Sequence, residues 1–347
     1  MRKPTIVFVS QSGTANEYLD QSARYRIYNP GKALARLGFN VTVTRDVFDD
    51  NFPMYGDAYL FHRPMFSEEF LSVIEKLSAR GVRLVCDFDD LNFDPSTITQ
   101  NAFFRIRDRE KISNQAARLF EGASFFDTIV TSSQTLTANA RRILGSEPAF
   151  HTIGMGVDDD LFEHVMANRD HYLSLKGRQA IGYFAGSNTH AIDFPIVEAG
   201  VLRFLNSHAK ARFLLMGQIE PEAQLRAHPN FIHLPRMPYE QLFEHAALCK
   251  VIIAPLEDNE FNKVKASTKL LENSLVMSYT CASPTPEFDN LDIEYHSVST
   301  DDDWQRVLSM DYIRSIGSDV LKKNHDILAQ KYRMSTMVSE YVEVLGL

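Results

Sequence analysis

Cysteine is scarce in this chain of 347 residues: Cys86, Cys249 and Cys281 stand far apart, with no close pair among them. That excludes a disulfide framework and a thiolate zinc site, and it fits reduced thiols. Long hydrophobic runs are missing as well. The apolar stretch Ile6–Val9 is too short for a signal-peptide core, and polar Ser10-Gln11-Ser12 follows at once. No segment approaches the ~18 apolar residues of a membrane span. Positive charge is in deficit, with a formal net charge of -9. A surface so acidic argues against general nucleic-acid binding, which needs a basic footprint to neutralise phosphates, although it leaves room for a local basic pocket. The glycine-rich GxGxxG fingerprint, low-complexity tracts and short-period repeats are all absent. The expected location is the cytoplasm, with at most peripheral contact at the inner face of a membrane.

What is present is an ordinary globular composition, 44% hydrophobic and 23% charged, in a chain long enough for two cores. Short β-branched or aromatic runs alternate with helical patterns. In the first half, Thr5–Ser10, Val41–Thr44, Ala58–Phe61, Arg83–Cys86, Thr128–Thr131 and Phe150–Ile153 read as strands. Pro30–Leu37, Ser67–Ala79, a long stretch over 102–121 and Gln134–Leu144 read as helices. The second half repeats the scheme, with strands at Ala180–Phe184, Arg212–Met216, Phe231–Leu234, Val251–Pro255 and Met277–Cys281. Helices are expected at Phe194–Ser207, Tyr239–Leu248 and Lys265–Leu275. Such alternation predicts an α/β fold of two Rossmann-like domains, each a parallel sheet covered on both faces. The expected bounds are 1–160 and 177–316, joined by a polar linker over Val157–Lys176. C-terminal helices over 317–347 are expected to pack back toward the first domain.

The strongest local feature is the run Glu257–Glu272, which follows a strand and so lies at a carboxyl strand end, where open α/β sheets bind ligands. At helical spacing Lys265, Lys269 and Glu272 fall within about 60° of one another. The helix start at Ala266-Ser267-Thr268 offers unpaired N–H groups and the positive end of the dipole. Lysines beside a helix N-terminus suit a diphosphate, and a glutamate one turn on suits ribose hydroxyls. A solvated face of Lys–Glu pairs has the same pattern. The second feature is Gly182–Asp193, the first strand–helix turn of the second domain, in which Gly186, Ser187 and Thr189 allow a phosphate close to the backbone. His190 in that turn is a candidate contact to the donor, or a surface histidine.

The first domain carries Gly13 in its first strand–helix loop, then Arg26, then Arg63 after the third strand. Asp87, Asp89 and Asp90 follow the fourth. The three carboxylates suit a divalent cation, acceptor hydroxyls or a general base, with Asp89 the candidate base; capping and solvation are the plain alternative. The stretch Phe103–Lys111 mixes aromatics with basic residues, as does a helix that meets an anionic lipid or one that packs on its own sheet.

Together these segments resemble the GT-B glycosyltransferases, and among them the large retaining family 4, which includes bacterial polysaccharide and O-antigen enzymes. Thr152–Phe162 (TIGMGVDDDLF) is similar to the IPNGVD…F signature, with Met155 in place of the usual Asn. Ile181–Phe194 resembles the GYFSGTxTHxxDF loop of a polysaccharide-synthesis subgroup, Lys265–Glu272 its KSxxKxxE helix, and Val85–Asp90 its VYDIDD strand end. The resemblance implies two sheets facing an interdomain cleft and a nucleotide-diphosphate sugar, UDP- or GDP-linked, as donor substrate. By it Glu272 binds the ribose, Lys265 and Lys269 the diphosphate, and Arg236 and Met237 pass the nucleobase. The acceptor would be a glycan or lipid-linked hydroxyl entering near Gly13, Arg26, Arg63, Asp87 and Asp90. The family's first glutamate would fall at Val264 and is missing here. Retention is implied by resemblance alone, with no cofactor and no metal. The expected function is therefore sugar transfer in surface polysaccharide synthesis. A sugar-nucleotide epimerase and a non-catalytic domain of a larger synthase are the alternatives.

Overall fold

The structure is a computed structural model that describes residues 2–11, 20–45, 47, 52–175, 180–186 and 188–347. The chain divides into two compact units. The first comprises Met1–Asp159, Val264–Ala266 and Tyr332–Leu347; the second comprises Asp160–Lys263 and Ser267–Lys331.

The first unit is built on six parallel strands: β1 (Thr5–Ser10), β2 (Asn40–Thr44), β3 (Ala58–His62), β4 (Arg83–Phe88), β5 (Thr128–Thr131) and β6 (Ala149–Thr152). Their order across the sheet is β2-β1-β3-β4-β5-β6. β1, β3 and β5 are buried along their whole length, because helices cover both faces of the sheet. The helix Met334–Val344 packs beside Asn29–Arg36, adding Met334, Met337, Val338 and Tyr341 to the core around Phe8 and Leu60. Its entry is pinned through Val157, which pairs with Arg333 in a parallel bridge, and through Asp159, which accepts from Arg333 Nε at 2.9 Å.

The second unit has β7 (Ala180–Phe184), β8 (Arg212–Met216), β9 (Phe231–Leu234), β10 (Val251–Ala254), β11 (Tyr279–Ala282) and β12 (His296–Ser297). Their order is β12-β11-β10-β7-β8-β9, all parallel. Read from the other edge this is the doubly wound nucleotide-binding order, in which the winding reverses between β7 and β10. In the first sheet the reversal falls between β1 and β3.

Several local expectations are corrected. The stretch 102–121 is two helices, Ala102–Ile106 and Arg109–Ala123. The break falls at Asp108, whose carboxylate accepts from the amides of Glu110 and Lys111 and so starts a new helix. The supposed linker is also largely helical, over Asp159–Ala167 and Arg169–Leu175. Leu161, Phe162 and Val165 recur there at helical spacing and are buried beneath the charged residues. The helix expected from Pro30 begins earlier. Gln21–Ala23 runs into a π-helical turn, Arg24–Tyr28, before Asn29–Arg36. Pro30 has no N–H to donate, and the Asn29 amide reaches back to the Arg24 carbonyl instead, which widens the turn.

The helix Lys265–Leu275 begins only at Thr268, with Ser267 as N-cap, so Lys265 lies outside it. Val264, just upstream, is buried, and its carbonyl accepts from Ser133 Oγ at 3.1 Å. The same helix ends in a tight hydrogen-bonded cap. Ser278 N donates to Asn273 O, Met277 N donates to Ser274 O, and Met277 takes the left-handed conformation at φ 56° that glycine usually fills. This displaces the next strand from the expected Met277 to Tyr279.

One packing constraint is testable. A Cβ on Gly122 would lie 2.4 Å from the backbone oxygen of Pro64, where Phe66 N donates to Arg118 O. Gly122→Ala should therefore destabilise the protein by ~1–3 kcal/mol in urea titrations, despite alanine's better helix propensity.

Candidate functional site

In the second unit the reversal of winding leaves the loops after β7 and β10 diverging from neighbouring strand ends, and the sequence fills this point with tethering groups. β7 ends at Phe184, whose carbonyl accepts a hydrogen bond from Lys269 Nζ. Lys269 lies in the first turn of the helix Thr268–Leu275, so one ammonium ties that helix start to the β7 strand end. Glu272 follows three residues later and is buried, as is Ser267, while Thr268 is half-buried. Leu270, Leu271 and Leu275 are wholly buried on the core side.

Beyond β7, Gly186 is half-buried and Asn188–Ala191 forms a short 3-10 turn containing Thr189 and His190. Ser187 lies outside the described residues. His190 Nδ1 is 3.0 Å from Asp193 Oδ2, and the other oxygen of Asp193 accepts from Glu257 N at 3.1 Å. Asp193 therefore spans the loops that follow β7 and β10. The His190 ring meets Tyr183 edge-on, and Tyr183 stacks on Phe194. Burial, with Asp193 nearby, pushes the Tyr183 hydroxyl well above the usual phenol range. Arg236 is exposed and Met237 half-buried, in the loop after β9.

The carboxyl ends of β3 and β4 in the first unit hold a buried ion network. Asp87 is wholly buried and accepts from Arg26 Nε at 3.0 Å, from Arg26 Nη2 at 2.5 Å and from His62 Nδ1 at 2.7 Å. Arg26, equally buried, also donates from Nη1 to the carbonyls of Ile153 and Gly154, at 2.5 and 3.2 Å. Burial alone would raise the Asp87 carboxyl, but the Arg26 charge and the His62 hydrogen bond outweigh it and hold it below the usual range. Asp89 accepts from Arg63 Nε at 2.7 Å; burial opposes this pairing, yet the guanidinium keeps the carboxyl well below its ordinary value. Arg63 takes a left-handed backbone at φ 54° and also donates to Ser22 Oγ. Asp90 is half-buried, and burial pushes its carboxyl up against the pull of the Lys265 ammonium.

This arrangement re-sorts the residues singled out in the sequence. Lys269, Glu272, Ser267, Thr268, Gly186, Thr189 and His190 belong to the second unit, whereas Lys265 groups with the first unit and faces Asp90. Its expected place on the helix face beside Lys269 is not what the structure has. Arg26 and Asp87, expected to meet an acceptor, have no exposed surface and engage each other. Asp87 and Asp89 are engaged by Arg26 and Arg63 respectively and share His62, whose Nδ1 is 2.7 Å from Asp87 and whose Nε2 is 3.7 Å from Asp89. Among the described residues no group of three or more histidine, cysteine or acidic side chains is placed to hold a metal ion. Gly13 lies outside the described residues. Sequence reasoning missed His62 and Asp193. The signal for His62 was a histidine ending a wholly apolar strand at the reversal of the sheet; for Asp193 it was a carboxylate three residues beyond a loop histidine.

No protein-family model matches the chain, and no curated protein matches it in sequence. Solved structures do match, and they show the fold. HepE of Anabaena in complex with UDP and glucose is 14% identical, with 99% of each chain covered and a TM-score of 0.63. Sucrose-phosphate synthase from Thermosynechococcus elongatus is 13% identical over 99% of this chain and 98% of that one, at TM-score 0.60. A trehalose-6-phosphate structure from E. coli, bound with UDP-2-fluoro glucose, is 12% identical over 98% of both, at 0.59. The fold is GT-B: two sheets of six parallel strands with flanking helices.

The buried Asp87 network predicts a measurable cost. Asp87→Ala leaves Arg26 charged and unpaired in the core and should destabilise the protein by ~3–5 kcal/mol in denaturant titrations. The pH dependence has a fixed sign. A carboxyl held below its unfolded value stabilises the fold at pH above that value, about 3.9, and loses the stabilisation as pH falls through the folded value. Wild-type stability should thus fall on acidification below about pH 4 more steeply than that of Asp87→Asn.

Proposed function

We propose that this chain is a glycosyltransferase that takes a sugar from a nucleotide-diphosphate donor held by its second unit. The observation that carries the reading is the tie at the β7–β10 reversal: Lys269, in the first turn of its helix, donates to the last carbonyl of β7, beside the turn that holds Gly186, Thr189 and His190. That is where doubly wound sheets receive phosphates. UDP is the first nucleotide to test, because similarly folded structures were solved with UDP, with UDP-glucose and with UDP-2-fluoro glucose. A GDP-linked donor is the second.

In this reading the helix amides near Thr268 and the Lys269 ammonium stabilise negative charge as it grows on the leaving diphosphate. Groups fixed in place before reaction supply such stabilisation without reorganising, which is why terms of this kind dominate many catalysed transfers. Glu272, one turn further along the helix, accepts from ribose hydroxyls. In the transfer the bond from the anomeric carbon to the phosphate oxygen breaks, the acceptor oxygen bonds to that carbon, and the acceptor proton passes to a phosphate oxygen. Departure and attack on one face retain the configuration and leave no need for a protein base. The acceptor is a glycan or lipid-linked hydroxyl, and the product belongs to surface polysaccharide assembly. The resemblance to retaining family 4 supports these finer assignments.

Lys269→Ala and Glu272→Ala should each lower transfer by roughly 10²–10³-fold or more, with melting temperatures near wild type. Transfer releases nucleotide and enlarges an acceptor. Epimerisation would change only the sugar, and a binding module would leave the donor untouched. A thermal-shift series with UDP, GDP and their sugars should raise the melting temperature for one base over the other, since a ligand that prefers the native state stabilises it.

A further inference from the structure

The hydrogen bonds of the β7 turn make Asp193 more than a capping group. Its two oxygens have different partners: one faces His190 Nδ1 at 3.0 Å and the other accepts from Glu257 N at 3.1 Å. The carboxylate is nearly buried, and the His190 side chain is only 17% exposed, so the pairing is shielded from solvent. Phe194, the next residue, is buried against Tyr183, and the edge of the His190 ring lies against the same tyrosine. The imidazole is thereby held on one side by a carboxylate and on another by an aromatic ring.

We infer that Asp193 is a positioning residue of the donor site, resting on the reading given under Proposed function: it keeps a proton on His190 Nδ1 and holds the loops after β7 and β10 at a fixed spacing. An ionised carboxylate can only accept, so the histidine nitrogen facing it must carry hydrogen. A histidine whose Nδ1–H is committed in this way meets any further ligand through Nε2, and the partner of one nitrogen sets the state of the other. When Nε2 also carries a proton, it donates to an anionic ligand such as the donor diphosphate. The second oxygen acts on geometry. By holding the Glu257 amide it fixes the loop after β10, the strand beside β7 across the reversal. One side chain thus sets both the proton position and the spacing of the phosphate-binding loops.

The test uses the full chain, with Asp193→Asn as the informative variant. The amide oxygen can still accept from Glu257 N, while its NH2 donates to Nδ1 and forces the proton off that nitrogen. Nitrogen-15 spectra of His190, assigned by its loss in His190→Ala, should show Nδ1 protonated in wild type and unprotonated in Asp193→Asn. This arm needs no ligand, and the wild-type protonation state alone can overturn the inference. In calorimetry with UDP, Asp193→Asn and His190→Ala should each weaken binding by roughly 10- to 100-fold, as expected for loss of a charge-assisted hydrogen bond. The double variant should bind no more weakly than His190→Ala alone. The KM for UDP-glucose should rise, with a smaller change in kcat. An unprotonated Nδ1 in wild type would overturn the inference, as would wild-type UDP affinity in Asp193→Asn or losses that multiply in the double variant. If wild type binds neither UDP nor GDP, the donor-site reading fails, and the spectra still decide whether Asp193 sets the proton.

Discussion

A parallel strand delivers its carbonyl oxygens and its following loop at the same end as every neighbour, so all the chemistry such a sheet can hold is crowded along one edge. In the second unit the winding reverses between β7 and β10, and loops that would otherwise cover that edge part from one another. The chain does not leave the parted ends loose. Lys269 closes on the carbonyl of Phe184, and Asp193 bridges His190 to the Glu257 amide. Everything assigned to this protein depends on that edge being held open and rigid at once. Preorganised donors cost little at the moment of reaction only if something else fixes them, and here the fixing groups are themselves a cation and an anion of the site.

The first unit solves a related problem in a different way. Its β4 end carries charges that would be costly to bury singly, and they are neutralised in pairs. Asp87 is matched by Arg26 and His62, and Asp89 by Arg63. Arg26 reaches Asp87 from a π-helical turn and also satisfies the carbonyls of Ile153 and Gly154. The pair therefore ties the π-helical turn and the end of β4 to the segment that leaves β6. Asp90, left half-buried at the edge of this network, is raised by burial and faced by Lys265. Buried charge at a strand end is in this case architecture.

Much of this could be read from the sequence, for reasons specific to each element. β1, β3 and β7 were legible because a strand covered on both faces needs an unbroken apolar run, and TIVFVS, AYLFH and AIGYF supply it. The helix Glu68–Ala79 was legible through Ser67, whose side chain accepts from Phe70 N, and through acidic residues in its first turn. The start of the Thr268 helix was not. Helical spacing continues backwards through Lys265, but the Val264 carbonyl accepts from the distant Ser133 Oγ and the helix starts only at Thr268, a tertiary contact that no local pattern reveals. Its end was missed because a methionine, at Met277, occupies the position where glycine would have been the signal. Lys269 and Glu272 share a face by spacing alone, whereas the partnership of His62 with Asp87 spans β3 and β4 and is fixed by strand register, which no local pattern reveals.

The most direct test of the central claim is amide hydrogen exchange of the whole protein with and without saturating UDP. A diphosphate held at the β7–β10 reversal should slow exchange in the turn after β7 and in the first turn of the Thr268–Leu275 helix together. Protection confined to other segments while UDP is bound, or bound UDP that leaves both of these turns exchanging at their free rates, would contradict it.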